Sequence, residues 1–228
     1  MLIIVTARSG SKRLPNKNIK MLGRYPLFVH TLMAFREQAK EHELLFSTDS
    51  EDYIKLAEKY VDFKISYELR PSEYAQDKTK VVFEVERILN KRNLTNEDDN
   101  FILALPTAPL RDRKVVERFF KFNPDFLPAF SCVKYSFPVQ FAFRQNNKSW
   151  KALLESSPMI TNETRSQDIE DLYRPNGAIY LNNAKNFFES GLNLYKNCIP
   201  FEMSLKESTD VDDEIDFLIA ESLLLNDN

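Results

Sequence analysis

An α/β fold, a mostly parallel sheet with helices on both faces, is what this sequence predicts. Three observations carry that expectation. Short apolar runs rich in β-branched residues alternate with longer helix-like stretches five times before residue 135. The runs are continuous, as in strands covered on both faces. A length of 228 residues, 43% hydrophobic and 29% charged, suits one sizeable globular domain.

The elements follow in order. "LIIVTA" reads as a buried first strand. Pro26 opens a helical stretch, "PLFVHTLMAFREQAK", at the first-turn position where its missing N–H costs nothing. "ELLFSTDS" reads as strand and turn, then "SEDYIKLAEKY" as a helix with Ser50 as N-cap and acids in its first turn. "FKISY" is a short strand, "LRPSEYAQDKT" a loop and "KVVFEVERILNKR" an amphipathic helix. "FILAL", "RDRKVVERFFKF" and "AFSCVKY" repeat strand, helix and strand. After Tyr135 the rhythm breaks. Val139, Phe141 and Phe143 alternate, which predicts a strand with one apolar face, and "QNNK" predicts a hairpin turn. That face needs a partner to cover it. "NGAIYL" returns a core strand, and "DDEIDFLIAESLLL" ends as a helix.

Composition excludes several classes. Two cysteines, Cys132 and Cys198, are too few for a disulfide framework and read as buried free thiols. Apolar runs reach about six residues against the roughly 20 of a membrane span. "MLIIV" lacks the basic start and the length of a signal peptide, so a cytoplasmic location is expected. Residues 1–36 hold seven basic residues and no acid, whereas Glu207 to Glu221 holds seven acids and no base. Such ends suit one ligand between them, anions on the first and a metal on the second. The basic stretch is short and the chain is acidic overall at −3, so nucleic acid is not the expected partner.

In this sheet type, ligands bind at the carboxyl ends of the strands. "ARSGSK", the loop after "STD", and "PTAPLR" sit at such ends and should converge. "ARSGSKRLPNKN" leaves the first strand with Arg8, Lys12, Arg13 and Lys17 and no acid. It reads as a phosphate cradle, in which Gly10 permits close backbone approach, N–H groups bind oxygens and the cations offset charge. It matches neither the Walker A nor the dinucleotide-binding glycine pattern. Asp210 and Asp212 stand two apart, so in an extended stretch both carboxylates reach one side and suit one Mg²⁺. The competing role is helix capping by Asp210, with Asp212, Asp213 and Glu214 favouring the dipole.

"ARSGSKRLPNKNIKMLGRYPL", "STDS", "LRPSEYAQD", "PTAPLR", "TRSQD", "RPNGAIYL" and "STDVDDEIDFLIAESLL" come in an order that resembles the acylneuraminate cytidylyltransferase (CMP-sialic acid synthetase) family over nearly the full length. The resemblance implies a Rossmann-like nucleotidyltransferase core in one domain, 1–228, with a dimerisation extension at about 134–175. It implies Mg²⁺-dependent transfer of CMP from CTP to a nonulosonic, sialic-acid-like 2-keto sugar acid by a homodimer. In it, Arg8, Lys12 and Lys17 face the triphosphate, and Asp210 and Asp212 hold the metal, with Asp212 and the three cations forming the catalytic set. Ala7, Gly10, Ser11 and Asn18 bind the nucleotide with them, Asn18 toward the ribose. Arg70 and the main chain near Thr79 surround the cytosine. Arg165, Gln167, Asn176 and Tyr180 face the sugar, with Arg174 competing with Arg165 for its carboxylate. Arg13, Lys20 and Arg24 read as solvated.

Leu105, Gln140, Val81 and Ser166 depart from the family pattern beside the sugar or the nucleotide, which leaves the sugar open. Three other readings stay open beside this one: transfer to 3-deoxy-manno-octulosonate, transfer to a sugar 1-phosphate, and a non-catalytic nucleotide-binding descendant.

Overall fold

Strand β1 (Leu2–Thr6) is buried along its whole length. It pairs in parallel with β4 (Glu43–Thr48) on one side and β6 (Asn100–Ala104) on the other. These are the "LIIVT", "ELLFST" and "FILA" runs, and their apolar residues on both faces are what a central parallel position requires. The coordinates come from a computed structural model and describe residues 1–162, Arg165 and residues 169–225. Strand β5 (Ser66–Leu69) continues the parallel set beyond β4. On the other flank β10 (Tyr173–Asn183) runs antiparallel to both β6 and β7 (Ala129–Lys134), and β11 (Ile199–Glu202) lies parallel to β7. The order is β11-β7-β10-β6-β1-β4-β5, and β10 alone opposes the rest.

Helices α1 (Leu27–Ala34), α2 (Glu51–Tyr60) and α4 (Arg113–Phe122) cover one face. There Phe28 stacks between Phe46 and Tyr53, with ring centroids 4.8 and 5.7 Å away. Helices α3 (Val81–Lys91) and α6 (Ala184–Glu189) bring Ile88, Leu89 and Phe187 against Ile4, Leu45 and Leu103 on the other face. Each such side chain contributes about 1.5–3 kcal/mol through burial. Helix α7 (Glu214–Leu225) sets Phe217 and Ala220 on Leu14, Leu22 and Leu27 in a third cluster. This cluster brings the acidic segment beside the basic loop.

The expected α/β fold is therefore present, with differences of detail. The first helix stops at Ala34, and Pro26 precedes it as the end of a two-residue strand, β3 (Tyr25–Pro26), paired with β2 (Met21–Leu22). Ser50 flanks α2 without a side-chain capping bond. The strand read at "FKISY" sits later, at Ser66–Leu69. The alternation of Val139, Phe141 and Phe143 does not make one strand. Val139–Phe141 is a turn of 3₁₀ helix after Pro138, whose fixed φ favours the turn. Strand β8 (Phe143–Asn146) begins after it and pairs with β9 (Ser149–Ala152) in the expected hairpin, with Asn147 at φ 52°. The hairpin is separate from the main sheet. A short helix, α5 (Pro158–Thr161), follows. Cys132 is buried and Cys198 half-buried, both as free thiols. Among the described residues, no helix is long and apolar enough to cross a membrane.

Candidate active site

The carboxyl ends of β1, β5 and β6 open on one cleft of about 570 Å³. Thr6 enters it from the end of β1, Arg8, Ser11, Lys12, Arg13, Lys17 and Asn18 from the first loop, Arg70 and Thr79 from the loop after β5, and Leu105 and Thr107 from beyond the end of β6. Asp212 closes it from the segment before α7. The predicted convergence of "ARSGSK" and "PTAPLR" is thus present, joined by the loop after β5. Asp49 of "STDS" lies behind the first loop and binds Ser9.

The loop carries no acid of its own, but acids from elsewhere meet its cations. Asp77 bridges Arg8 at 3.0 Å and Lys12 at 2.5 Å. The Lys12 bond holds the Asp77 carboxyl below the usual carboxylate range. Asp212 bridges Arg13 at 2.8 Å and Lys17 at 3.3 Å. Lys17 is buried, and its Nζ also donates to the Val211 carbonyl at 2.7 Å. Arg13 is exposed, as expected, and also borders the cleft. Lys20 lies over the Phe217 ring and pairs with Glu214 at 2.7 Å, and Arg24 is exposed.

Ala7 is buried and its N–H serves the sheet by donating to the Ser47 carbonyl. A side chain added at Gly10 would meet nothing within 4 Å, so packing within the chain does not demand glycine there. The Asn18 amide donates to the Arg8 carbonyl at 2.8 Å, leaving its buried Oδ1 unpaired. Thr79 does not cap α3. Its hydroxyl donates to the Glu73 carbonyl and its N–H to the Gln76 carbonyl.

Arg70 is buried at the cleft floor and donates to the Ser47 carbonyl at 3.2 Å, while its Nε finds no hydrogen-bond acceptor. Behind it Glu84 is fully buried, accepting from Ser47 Oγ at 2.6 Å and from Arg87 at 2.8 Å. Sequence reading missed Glu84 because an acid in an amphipathic helix ordinarily faces water.

On the sugar side the residues disperse. Asn176 is buried outside the cleft lining and spends its amide on Ser131, Ser208 and Met203. It holds the irregular start of β10, where Gly177 takes φ 75°. Tyr180 pairs with the Tyr195 hydroxyl at 3.1 Å, and burial lifts its pKa well above the usual phenol value. Arg165 is exposed, and Gln167 and Ser166 lie outside the described residues. Arg174 lines a second cavity of about 480 Å³ with Cys132, Tyr173 and Glu202. Among the departures, Leu105 and Val81 line the cleft, and Gln140 donates to the Glu170 carbonyl at 3.0 Å.

Arg111 of "PTAPLR" was also missed. It is fully buried, and its guanidinium reaches the Ala178 carbonyl, the Leu105 carbonyl at 3.3 Å and Thr31 Oγ1 at 2.6 Å. Burial presses its pKa down to about 9, still charged at neutral pH. It ties β6, β10 and α1 together behind the cleft.

The residues fit a hard divalent cation. Val211 points into the core, so Asp210 and Asp212 on either side turn away from it. Capping of α7 falls to others: Asp213 accepts from the Ile215 and Asp216 N–H groups, and Asp216 accepts from the Asp212 and Asp213 N–H groups. This removes the capping role considered for Asp210. Asp210 keeps an exposed residue surface, but its carboxyl loses enough solvation to lie above the usual range, and the Asp212 charge adds to this. A cation relieves both effects. Among the described residues no cluster of three or more His, Cys, Asp or Glu could hold a metal, so phosphate or water oxygens would complete the shell.

Comparisons with known proteins bear on the family and the fold. The sequence pattern of a family described as Cytidylyltransferase matches residues 2–120. The chain is 30% identical over 225 residues to the N-acylneuraminate cytidylyltransferase of Escherichia coli O18:K1:H7, covering 96% of itself and 51% of that protein. It thus spans about half the length of that relative. It is 28% identical to the CMP-N,N'-diacetyllegionaminic acid synthase of Legionella pneumophila, covering 98% and 96%. In fold it is similar to a CMP:2-keto-3-deoxy-manno-octonic acid synthetase solved with CTP, with a TM-score of 0.65 at 17% identity and coverage of 100% and 99%.

Proposed function

This chain belongs to the cytidylyltransferase family, and on that premise we propose that it transfers CMP from CTP to the anomeric hydroxyl of a nonulosonic 2-keto sugar acid, releasing pyrophosphate. The observation that carries the reading is the meeting of Arg8, Lys12 and Lys17 with Arg70 and Asp212 around one cleft. Oxygen–phosphorus bond formation concentrates charge on the α-phosphoryl oxygens and the departing pyrophosphate. Arg8, Lys12 and Lys17 offset that charge from fixed positions. Arg70, with its unpaired Nε, serves the base, and Asn18 the ribose. Asp210 and Asp212 would hold Mg²⁺, which supplies further charge neutralisation when bound. A cytoplasmic reaction, supplied there with CTP, belongs to this reading.

The acceptor belongs to the sialate, legionaminate or pseudaminate class. The relatives' names support this class. Tyr180 and Arg165 are the sugar-facing residues in this reading. Assembly follows from the extension, where Phe137, Phe143, Trp150 and Ile160 are each more than half exposed. A second copy offering the same segment covers both at once in a homodimer.

The test is to incubate purified protein with CTP, Mg²⁺ and a panel of nonulosonic acids and to measure pyrophosphate. Release with one acid and CTP, but not with UTP or dTTP, is expected. No release with any member, or a preference for UTP, sinks the assignment.

A further inference from the structure

Two hydrogen bonds converge on a single peptide unit at the start of the basic loop. The Arg8 carbonyl accepts from Asn18 Nδ2 at 2.8 Å, and the N–H on the other side of that bond, that of Ser9, donates to Asp49 Oδ1 at 2.7 Å. Ser9 Oγ donates to Asp49 Oδ2 at 2.8 Å, so both carboxylate oxygens are engaged. A peptide unit is planar and rigid, so fixing its two poles fixes the plane and the directions in which the chain enters and leaves it. Asp49 lies outside the cleft lining, while Arg8 before the bond and Ser11 and Lys12 after it line the cleft.

We propose that Asp49 is a positioning residue: with Asn18 it clamps the Arg8–Ser9 peptide and so sets where the loop presents its anion-binding groups. The Ser9 N–H then belongs to the scaffold and not to the ligand. The inference rests on the proposed CTP reading. A carboxylate accepting both an N–H and an O–H makes stronger bonds than a neutral acceptor. Losing them is expected to cost about 10- to 30-fold in nucleotide affinity.

The experiment is a double-mutant cycle read by calorimetry with CTP and, separately, with inorganic triphosphate. Asp49→Ala is expected to weaken binding of both by about that factor, and Ser9→Ala by about 2- to 5-fold. Because Asp49 acts partly through Arg8 and partly through the rest of the loop, the Asp49→Ala/Arg8→Ala protein is expected to lose at least about 3-fold less than the product of the two single losses. Hydrogen exchange at the Ser9 amide, which needs no ligand, is expected to quicken at least about 10-fold in Asp49→Ala. Losses that multiply, wild-type affinity in Asp49→Ala, or an unchanged Ser9 amide overturn the clamp. If the wild type binds triphosphate but not CTP, the functional reading fails while the cycle still tests the clamp.

Discussion

The cleft and the hairpin extension resolve opposite problems. At the cleft the burdensome groups are charges, and the chain answers most of them itself. Asp77 meets Arg8 and Lys12, Asp212 meets Arg13 and Lys17, and Glu84 stands behind Arg70. In the extension the burdensome groups are aromatic. Phe143 and Trp150 touch each other edge to face at 6.1 Å yet stay about half exposed. A charge needs a specific partner at a fixed distance, which a fold can supply from its own strand ends. An exposed aromatic pair needs area, and a lone hairpin has none to give.

The comparison can be broken at either end. The largest effect is expected at the cleft. Asp212→Asn removes the acid shared by two cations and should lower turnover by about 10³-fold while the melting temperature stays within a few degrees. Near-normal Mg²⁺-dependent turnover would break the assignment. Next comes the extension. Trp150→Asp should convert a dimer to a monomer in light scattering, with about 10- to 100-fold less activity. A wild-type protein that is already monomeric would dissolve the contrast.

Third, Arg8→Ala and Lys17→Ala should each lower kcat/KM for CTP about 10- to 100-fold, with exposed Arg24→Ala within about 2-fold of wild type. Equal losses in all three would mean a general field and no specific cradle. The smallest effect belongs to Lys20→Ala. Its pair with Glu214 is solvent-exposed, so stability should change by no more than about 1 kcal/mol in chemical denaturation.

Periodicity made the core legible. "LIIVT", "ELLFST" and "FILA" are strands wherever a parallel sheet is built, because no other arrangement buries them on both faces. The order of motifs made the cleft legible too. Period-2 reading failed at Val139–Phe141, where a proline-initiated turn mimics alternation over three residues. It was silent on β11, whose "IPFE" has too little pattern to register. What the residues could not reveal was pairing. Nothing local in Asp77 announces that it meets Arg8 and Lys12, and nothing in Asn176 announces that its amide is already spent. Those outcomes depend on loops meeting across the sheet, and one-dimensional spacing does not encode them.

The place of β10 has a consequence for the order of assembly. Strands β6 and β7 are successive among the sheet strands, yet they are not neighbours, because β10 lies between them. The four strands from β5 to β6 can register once residue 104 has emerged during synthesis. Strand β7, made soon after, pairs only with β10 and β11, neither of which yet exists. Until residues 173–183 arrive, β6 shows an open edge and β7 has two. Unpaired edges of that kind invite contact with other chains. The half that carries the basic loop can thus be built early, and the nascent chain stays vulnerable until β10 slides between its neighbours.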